Sequence, residues 1–228
     1  MRFGIVIPAL DEEVSLRKLL PQIPSGFEVV VVDNGSVDAT RSVAESLGVA
    51  VISEQKKGYG YACLAGISYL FDTSEVDAII FLDADGSSVP EEIFRLTAEL
   101  ENGQTDLVLG NRVQVEKGSM TLPQRFGSWL AVTLVNLLWG ASYKDMGPYR
   151  GITKAALQKI GMSDGTFGWT IEMQIKAKIY NLAVSEVAVS SVCRYAGVSK
   201  ISGNWKAVIA AGYKILLTVA RYRLRIFN

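Results

Sequence analysis

Two carboxylates, Asp83 and Asp85, stand two residues apart directly after the apolar run 78–82. That spacing lets a pair of acids reach one hard cation through oxygen ligands, and Mg2+ or Mn2+ is the expected ion. A cation held by so few protein oxygens completes its shell with water and substrate phosphates, so a diphosphate ligand is expected beside it. Taken alone, the spacing also fits a turn acid next to a strand-end acid. Further acids follow other apolar runs: Pro8-Ala9-Leu10-Asp11-Glu12-Glu13 after the first and Asp33-Asn34-Gly35-Ser36-Val37-Asp38 after the second. Asp11, Asp38 and Ser88 are expected to do some helix capping, which does not account for the whole set. Lys56-Lys57-Gly58-Tyr59-Gly60 precedes a helical pattern and could bring a cation and backbone donors to phosphate oxygens.

What the chain lacks narrows the chemistry. It has no histidine, which removes Ser-His-Asp and Cys-His nucleophile pairs, HExxH zinc sites and imidazole proton shuttles together. The Lys-Gly segment lacks P-loop spacing and no GxGxxG follows the first apolar run, so NTPase and dinucleotide-oxidoreductase readings lose their main support. Cys63 and Cys193 form no CxxC pair, which excludes a disulfide framework and favours a reducing compartment. The segment from Met1 to Pro8 carries no long apolar region or cleavage site, so no export signal is expected.

The elements that must position these acids are legible as alternating periods. Strands are predicted at 3–7, 28–32, 50–52, 78–82 and 107–109, and helical spacing of apolar residues at 12–20, 39–47, 61–71 and 91–100. Val29 to Val32 is apolar on both faces, as a parallel sheet covered by helices on both sides requires. In such sheets ligands bind at the carboxyl ends of strands, where the acids fall. The second half reads as a helix over 123–140, a β-rich stretch over 184–192 and a final helix over 204–223. With no internal repeat or linker, residues 1–228 are expected to form one domain: 1–110 a nucleotide-binding front, 111–228 an elaborated back. Residues 126–143 carry no charge, but Ser128, Thr133, Asn136, Gly140 and Ser142 interrupt the run, so a helix lying against membrane or core is expected rather than a span.

Charge is divided along the chain. The 228 residues hold 23 basic and 23 acidic side chains, which gives no reason to expect a nucleic-acid partner. Residues 1–110 nevertheless carry 7 basic and 18 acidic residues, and 111–228 carry 16 and 5, so the halves differ as −11 and +11. After Glu186 come Arg194, Lys200, Lys206, Lys214, Arg221, Arg223 and Arg225 with no acid, which suggests an anionic partner or a solvated basic face. In the last helix these cations accompany Trp205, Ile209, Tyr213, Ile215, Leu216 and Leu217, the composition of an interfacial helix.

Through segments 7–13, 31–40, 57–66 and 81–87 the sequence resembles the family 2 glycosyltransferases of GT-A fold. The likeness continues through 110–112, 124–127, 145–151, 168–174 and 194–203, where it is similar to the polyprenyl-phosphate sugar synthases, dolichol-phosphate mannose synthases among them. This resemblance implies an α/β fold: a Rossmann-like, mostly parallel sheet flanked by helices, with a helical C-terminal elaboration. It implies a nucleotide-sugar site built from Pro8, Ala9, Asp11, Glu13, Asp33, Gly35, Asp38, Lys57, Asp83 and Ala84, with the metal on Asp83 and Asp85. Ser87 stands where dolichol-phosphate mannose synthases carry glutamine. Arg112, Arg125, Arg194 and Lys200 fall in segments that surround the acceptor phosphate in the lipid-phosphate branch. Glu172 aligns with the stretch where relatives using hydroxyl acceptors keep a base.

The expected function is metal-dependent, inverting transfer of a sugar from a UDP- or GDP-sugar to a polyprenyl phosphate, at the cytoplasmic membrane face by a peripheral enzyme. Asp85, Arg125, Glu172, Arg194 and Lys200 are the candidate catalytic residues. A hydroxyl acceptor with Glu172 as base is the alternative, since a hydroxyl must lose a proton whereas a phosphate is already an anion. A silent nucleotide-binding subunit docked to a membrane partner is the other.

Overall fold

The computed structural model describes residues 1–197 and 205–225. The chain begins β1 (Phe3–Ala9), α1 (Glu13–Leu19), β2 (Glu28–Asp33), α2 (Thr40–Ser46), β3 (Ala50–Ser53), α3 (Tyr59–Thr73), β4 (Ala78–Phe81) and α4 (Ile93–Glu101). It continues with β5 (Leu107–Val115), α5 (Leu122–Trp139), β6 (Arg150–Thr153), α6 (Lys154–Ile160), α7 (Trp169–Ile179), β7 (Val184–Ser191) and α8 (Trp205–Arg225).

Among the described residues, seven strands form one sheet in the order β3-β2-β1-β4-β6-β5-β7. β1, β2, β3 and β4 pair in parallel, as does β5 with β7, while β6 runs antiparallel to both β4 and β5. Alternation along each strand divides the core into two layers. Val6, Val30, Val32 and Phe81 face a cluster with residues of α3, α5, α6 and α7. Ile5, Ile7, Val31, Ile80 and Leu82 face the opposite cluster with residues of α1, α2 and α4. Burial on both faces is why these strands read as unbroken apolar runs.

Three departures from the sequence reading affect the site. α3 begins two residues before the expected Tyr61, which puts Tyr59 at its first position. β5 continues to Val115 rather than ending at Leu109, so Arg112 lies within a strand. β6, absent from the expected strands, inserts between β4 and β5; it opens on Arg150 and Gly151 and holds a single large apolar residue, Ile152, so no apolar run marks it.

α5 matches the expected helix, and its ends explain themselves. Thr121 and Gln124 form a reciprocal capping box, and Gly140 closes the helix in the left-handed region at φ 62°. Ser128, Ala131, Val132 and Val135 are buried, while Leu122, Phe126, Trp129 and Leu137 are exposed. Both expected contacts of the uncharged run are therefore separable: one face packs on the core and the other is left bare. No helix among the described residues is long and apolar enough to cross a membrane.

Candidate active site

The loops after β1 and β2 are stitched together by their own acids. Asp11, at φ 51°, accepts the Val37 N–H at 2.9 Å, and its own N–H donates to Ser36 Oγ at 3.0 Å. Glu13 accepts the Ala39 N–H at 2.9 Å, and Asp38 accepts the N–H groups of Glu13 and Thr40 at 3.2 and 2.9 Å. The capping expectation is corrected accordingly. Asp38 does serve the first turn of α2, Asp11 braces the neighbouring loop instead of α1, and Val89 rather than Ser88 precedes the turn Pro90–Glu92.

Asp33, buried at the end of β2, accepts the Ser36 N–H at 2.9 Å and so shapes the turn in which Gly35 takes φ 88°. Asn34 donates to the carbonyls of Glu54 and Lys56 and accepts the Gly58 N–H, which draws the loop after β3 against it. Exposed Lys57 thereby lies with its Cε 3.7 Å from the direction in which Gly35 would carry a Cβ. Pro8 and Ala9 close β1, opposite Val32 and Asp33. The expected nucleotide-sugar residues of these three loops are thus brought to one end of the sheet.

Asp83 and Asp85 leave β4 at the same end, with Ala84 buried between them. Tyr59 donates its hydroxyl to Asp83 Oδ1 at 3.0 Å. Burial, and next the Asp85 carboxylate beside it, push the Asp83 carboxyl up to about 7. Burial and the same Asp83 charge raise the Tyr59 phenol well above its ordinary value. Asp85 Oδ1 accepts the Ser87 N–H at 2.9 Å. A buried acid whose ionisation is opposed by its neighbour's charge gains from a cation between them, and the oxygens of the pair suit a hard divalent ion. Among the described residues no group of three or more His, Cys, Asp or Glu could hold a metal, so such a cation would draw most of its shell from water and ligand.

A segment from the far end of the chain is strapped over this loop. The Val192 N–H donates to the Ser87 carbonyl at 3.0 Å and the Tyr195 N–H to the Asp85 carbonyl at 2.9 Å. Gly86, at φ 75°, lies so close under the Tyr195 ring that any side chain there would collide with it. Tyr195 is fixed in turn by Gln22, which accepts its hydroxyl at 3.0 Å, and by Lys18 over its ring. The strap sets Arg194 Nη2 between two acids, 3.0 Å from Glu12 Oε1 and 3.2 Å from Asp85 Oδ2. Its Nε–H is buried and finds no acceptor among the described residues.

The other expected acceptor-side residues fall in different places. Arg112 forks onto Asp145, with Nε and Nη2 at 2.6 and 2.7 Å from its two oxygens. Asp145 is held below the usual carboxylate range by these bonds, against the opposing effect of its burial. Arg125 is exposed on the first turns of α5. Lys200 lies outside the described residues.

Glu172 requires a correction. It is fully buried on α7 and accepts from Ser163 N–H and Oγ, the Asp164 N–H, the Tyr222 hydroxyl and Lys176 Nζ. Although burial opposes it, this ring of donors lowers its pKa, Lys176 contributing most. A carboxylate so committed has neither a free oxygen nor the basicity for taking a proton from a hydroxyl. It organises the 163–168 loop instead. That loop interlocks with the start of α3: the Tyr61 N–H donates to the Gly165 carbonyl at 2.9 Å, and a Cβ at Gly58 or Gly60 would strike the Asp164–Gly165 backbone.

Sequence reasoning passed over Glu12, Tyr59, Asp145, Arg150 and Tyr195 as working residues. All five lay inside segments already singled out, but their partners are set by the fold. Arg150 lay in the matching segment 145–151 but carried no role there. It is a fully buried cation hydrogen-bonded to the Gly147 and Thr170 carbonyls, and burial pushes it down to about 10.

Comparison with known proteins identifies a family and a shared fold. The model of glycosyl transferase family 2 matches residues 4–168. An uncharacterized glycosyltransferase of Mycobacterium bovis is 35% identical over 207 residues, covering 91% of this chain and 93% of the relative. A polyprenol monophosphomannose synthase of Mycolicibacterium smegmatis is 29% identical over 216 residues, 88% of this chain and 81% of the relative. Among solved structures, glucosyl-3-phosphoglycerate synthase from Mycobacterium tuberculosis in complex with Mn2+, UDP-glucose and phosphoglyceric acid superposes with a TM-score of 0.79 at 17% identity, covering 97% of this chain and 79% of that one. The last likeness establishes a shared GT-A fold.

Proposed function

The chain belongs to glycosyl transferase family 2 and is a glycosyltransferase, and from that premise we propose that it moves a sugar from a nucleoside diphosphate sugar to a polyprenyl phosphate, with inversion at the anomeric carbon. Pro8, Ala9, Asp11, Glu13, Asp33, Gly35, Asp38, Lys57 and Ala84 line the donor side. Asp83 and Asp85 hold Mg2+ or Mn2+, which supplies charge neutralisation for the departing diphosphate. The solved neighbour's complex with Mn2+ and UDP-glucose supports that choice of ion and donor.

The observation that carries the choice of acceptor is a sealed acid opposed to an unsatisfied cation. Glu172 has its oxygens committed, whereas Arg194 keeps a buried N–H with no acceptor. Cations position an ionised phosphate and stabilise charge moving off it; a base is what a hydroxyl needs. A phosphate oxygen of the lipid forms the new bond to the anomeric carbon, the bond to the diphosphate oxygen breaks with its electron pair leaving on the diphosphate, and no proton is taken. Arg194, Arg125 and Lys200 serve this oxygen, with Arg112 held nearby by Asp145.

The lipid half of the acceptor is supported by the bare face of α5, where Leu122, Phe126, Trp129 and Leu137 are exposed on the same helix as Arg125. α8 adds exposed Tyr213, Leu216, Leu217 and Leu224 with basic Arg221. Such faces suit peripheral attachment to an anionic membrane, here its cytoplasmic side. The activity named for the mycolicibacterial relative supports the same acceptor class. A second reading, a small phosphate-bearing acceptor whose hydroxyl attacks the anomeric carbon, is favoured by the phosphoglyceric acid in the solved neighbour.

Purified protein, Mn2+ and a panel of radiolabelled UDP- and GDP-sugars, offered polyprenyl phosphate or 3-phosphoglycerate, separates the readings. Label entering the organic phase only with the lipid is the expected outcome. Label in a water-soluble product with phosphoglycerate alone overturns the lipid acceptor.

A further inference from the structure

We propose that Arg194 competes with the divalent cation for Asp85, and that arrival of the cation hands the guanidinium over to the acceptor's phosphate, so that metal occupancy raises affinity for the acceptor. This rests on the reading that Asp83 and Asp85 hold the metal. The contact itself is that of one cation placed for exchange. Both of its acid contacts run through a single nitrogen, Nη2, at 3.0 Å from Glu12 and 3.2 Å from Asp85. A guanidinium bonds best through a planar fork of two nitrogens to two oxygens. Arg112 on Asp145 has that fork at 2.6 and 2.7 Å; Arg194 does not.

The unused capacity points to the second position. A buried N–H without an acceptor carries an unrecovered desolvation cost. Arg194 Nε–H is such a group, and an oxygen of an anionic ligand beside the metal loop would satisfy it. Exchange needs no movement of the main chain, because the Val192 and Tyr195 N–H bonds fix the strap to the backbone of Ser87 and Asp85. Only side-chain torsions of Arg194 change. A dication on Asp85 repels the adjacent guanidinium and takes the oxygen that holds it, while the phosphate it then meets completes its bonding. The device keeps a cationic side chain on the acid until a donor's metal replaces it, and ties acceptor affinity to metal occupancy by a reciprocal coupling.

The signs distinguish this exchange from a purely structural role or a purely phosphate-binding one. Mn2+ affinity is measured by electron paramagnetic resonance in the presence of UDP, without turnover, for the parent, Arg194→Gln and Arg194→Met. Removing a competing cation at this distance should tighten Mn2+ binding about tenfold, while affinity for geranyl phosphate falls. Folded variants that bind Mn2+ no better than the parent overturn the exchange. A parent that binds no Mn2+ at all overturns the metal site itself and the exchange with it. Should both variants fail to fold, the parent still answers. Phenylglyoxal labelling of Arg194, read by peptide mass, should run several-fold faster with saturating Mn2+ than without, and an unchanged rate overturns the proposal.

Discussion

Tyr59 and Asp83 meet across 3.0 Å, the phenol at the start of α3 donating to the acid at the end of β4. The bond orients the inner acid of the pair from a neighbouring helix. It also ties that acid to the 163–168 loop, because residues 58–61 are the ones interlocked with Gly165.

Tyr59→Phe removes the donor and leaves the ring. A net bond worth roughly 1 kcal/mol is lost and the carboxylate is left less stabilised, so kcat/KM should fall about fivefold at neutral pH. The acid limb of the pH–rate profile should move to higher pH at the same time. An unmoved limb would mean that Asp83 is not the group being titrated.

Asp83 also sets a pH dependence of stability. Its folded pKa, about 7, lies above the ordinary value of 3.8, so between these limits the folded chain holds a proton that the unfolded chain has released. Stability without metal should therefore be greatest at the acid side of this window and decline as pH rises through it. Thermal melts at pH 5.5 and 7.5 check this, with Asp83→Asn expected to flatten the difference. Because protons and Mn2+ compete for the same oxygens, Mn2+ affinity should rise with pH up to about 7 and then level.

Glu172→Gln tests a buried anion against a catalytic base. Removing the charge while Lys176 stays behind should cost about 3–5 kcal/mol in denaturant melts. Turnover per folded molecule should stay within a few-fold of the parent. A loss of about 10²–10⁴ in kcat with stability retained would restore the base and with it a hydroxyl acceptor.

Gly60→Ala probes the interlock. A methyl group there meets the Asp164 carbonyl and the Gly165 backbone, neither of which is a flexible side chain. Overpacking of this kind costs about 1–3 kcal/mol. The displaced helix start should carry Tyr59 away from Asp83, so Mn2+ affinity is expected to fall along with stability.

On α5, Phe126 and Trp129 are 61% and 60% exposed, so a Phe126→Ser/Trp129→Ser variant should melt within about 1 kcal/mol of the parent. Sedimentation with anionic liposomes should nonetheless drop sharply, since the apolar contact with lipid is gone. Undiminished sedimentation would place the membrane contact elsewhere.

The alternation of strands and helices, the apolar runs and the acids that follow them were legible because they are local. A strand buried on both faces needs consecutive apolar residues, and an active end of a parallel sheet needs polar residues where strands stop. From these the first four strands, the helix α5 and the gathering of Asp33, Asp83 and Asp85 at one end of the sheet follow, while the GT-A class came from the resemblance that the motif segments carry and the caps of α5 from the structure. The tertiary structure decided what those side chains face. Glu12 and Arg194 meet across 182 positions in the chain, and no period in the sequence reports such a pairing. Arg112 had the composition of a phosphate ligand and became the partner of Asp145; Glu172 had that of a base and became a sealed anion. Charge and residue type are properties of the sequence, whereas burial and the number of donors around a charge arise only when distant segments pack, and these decide whether a charged group is free to react.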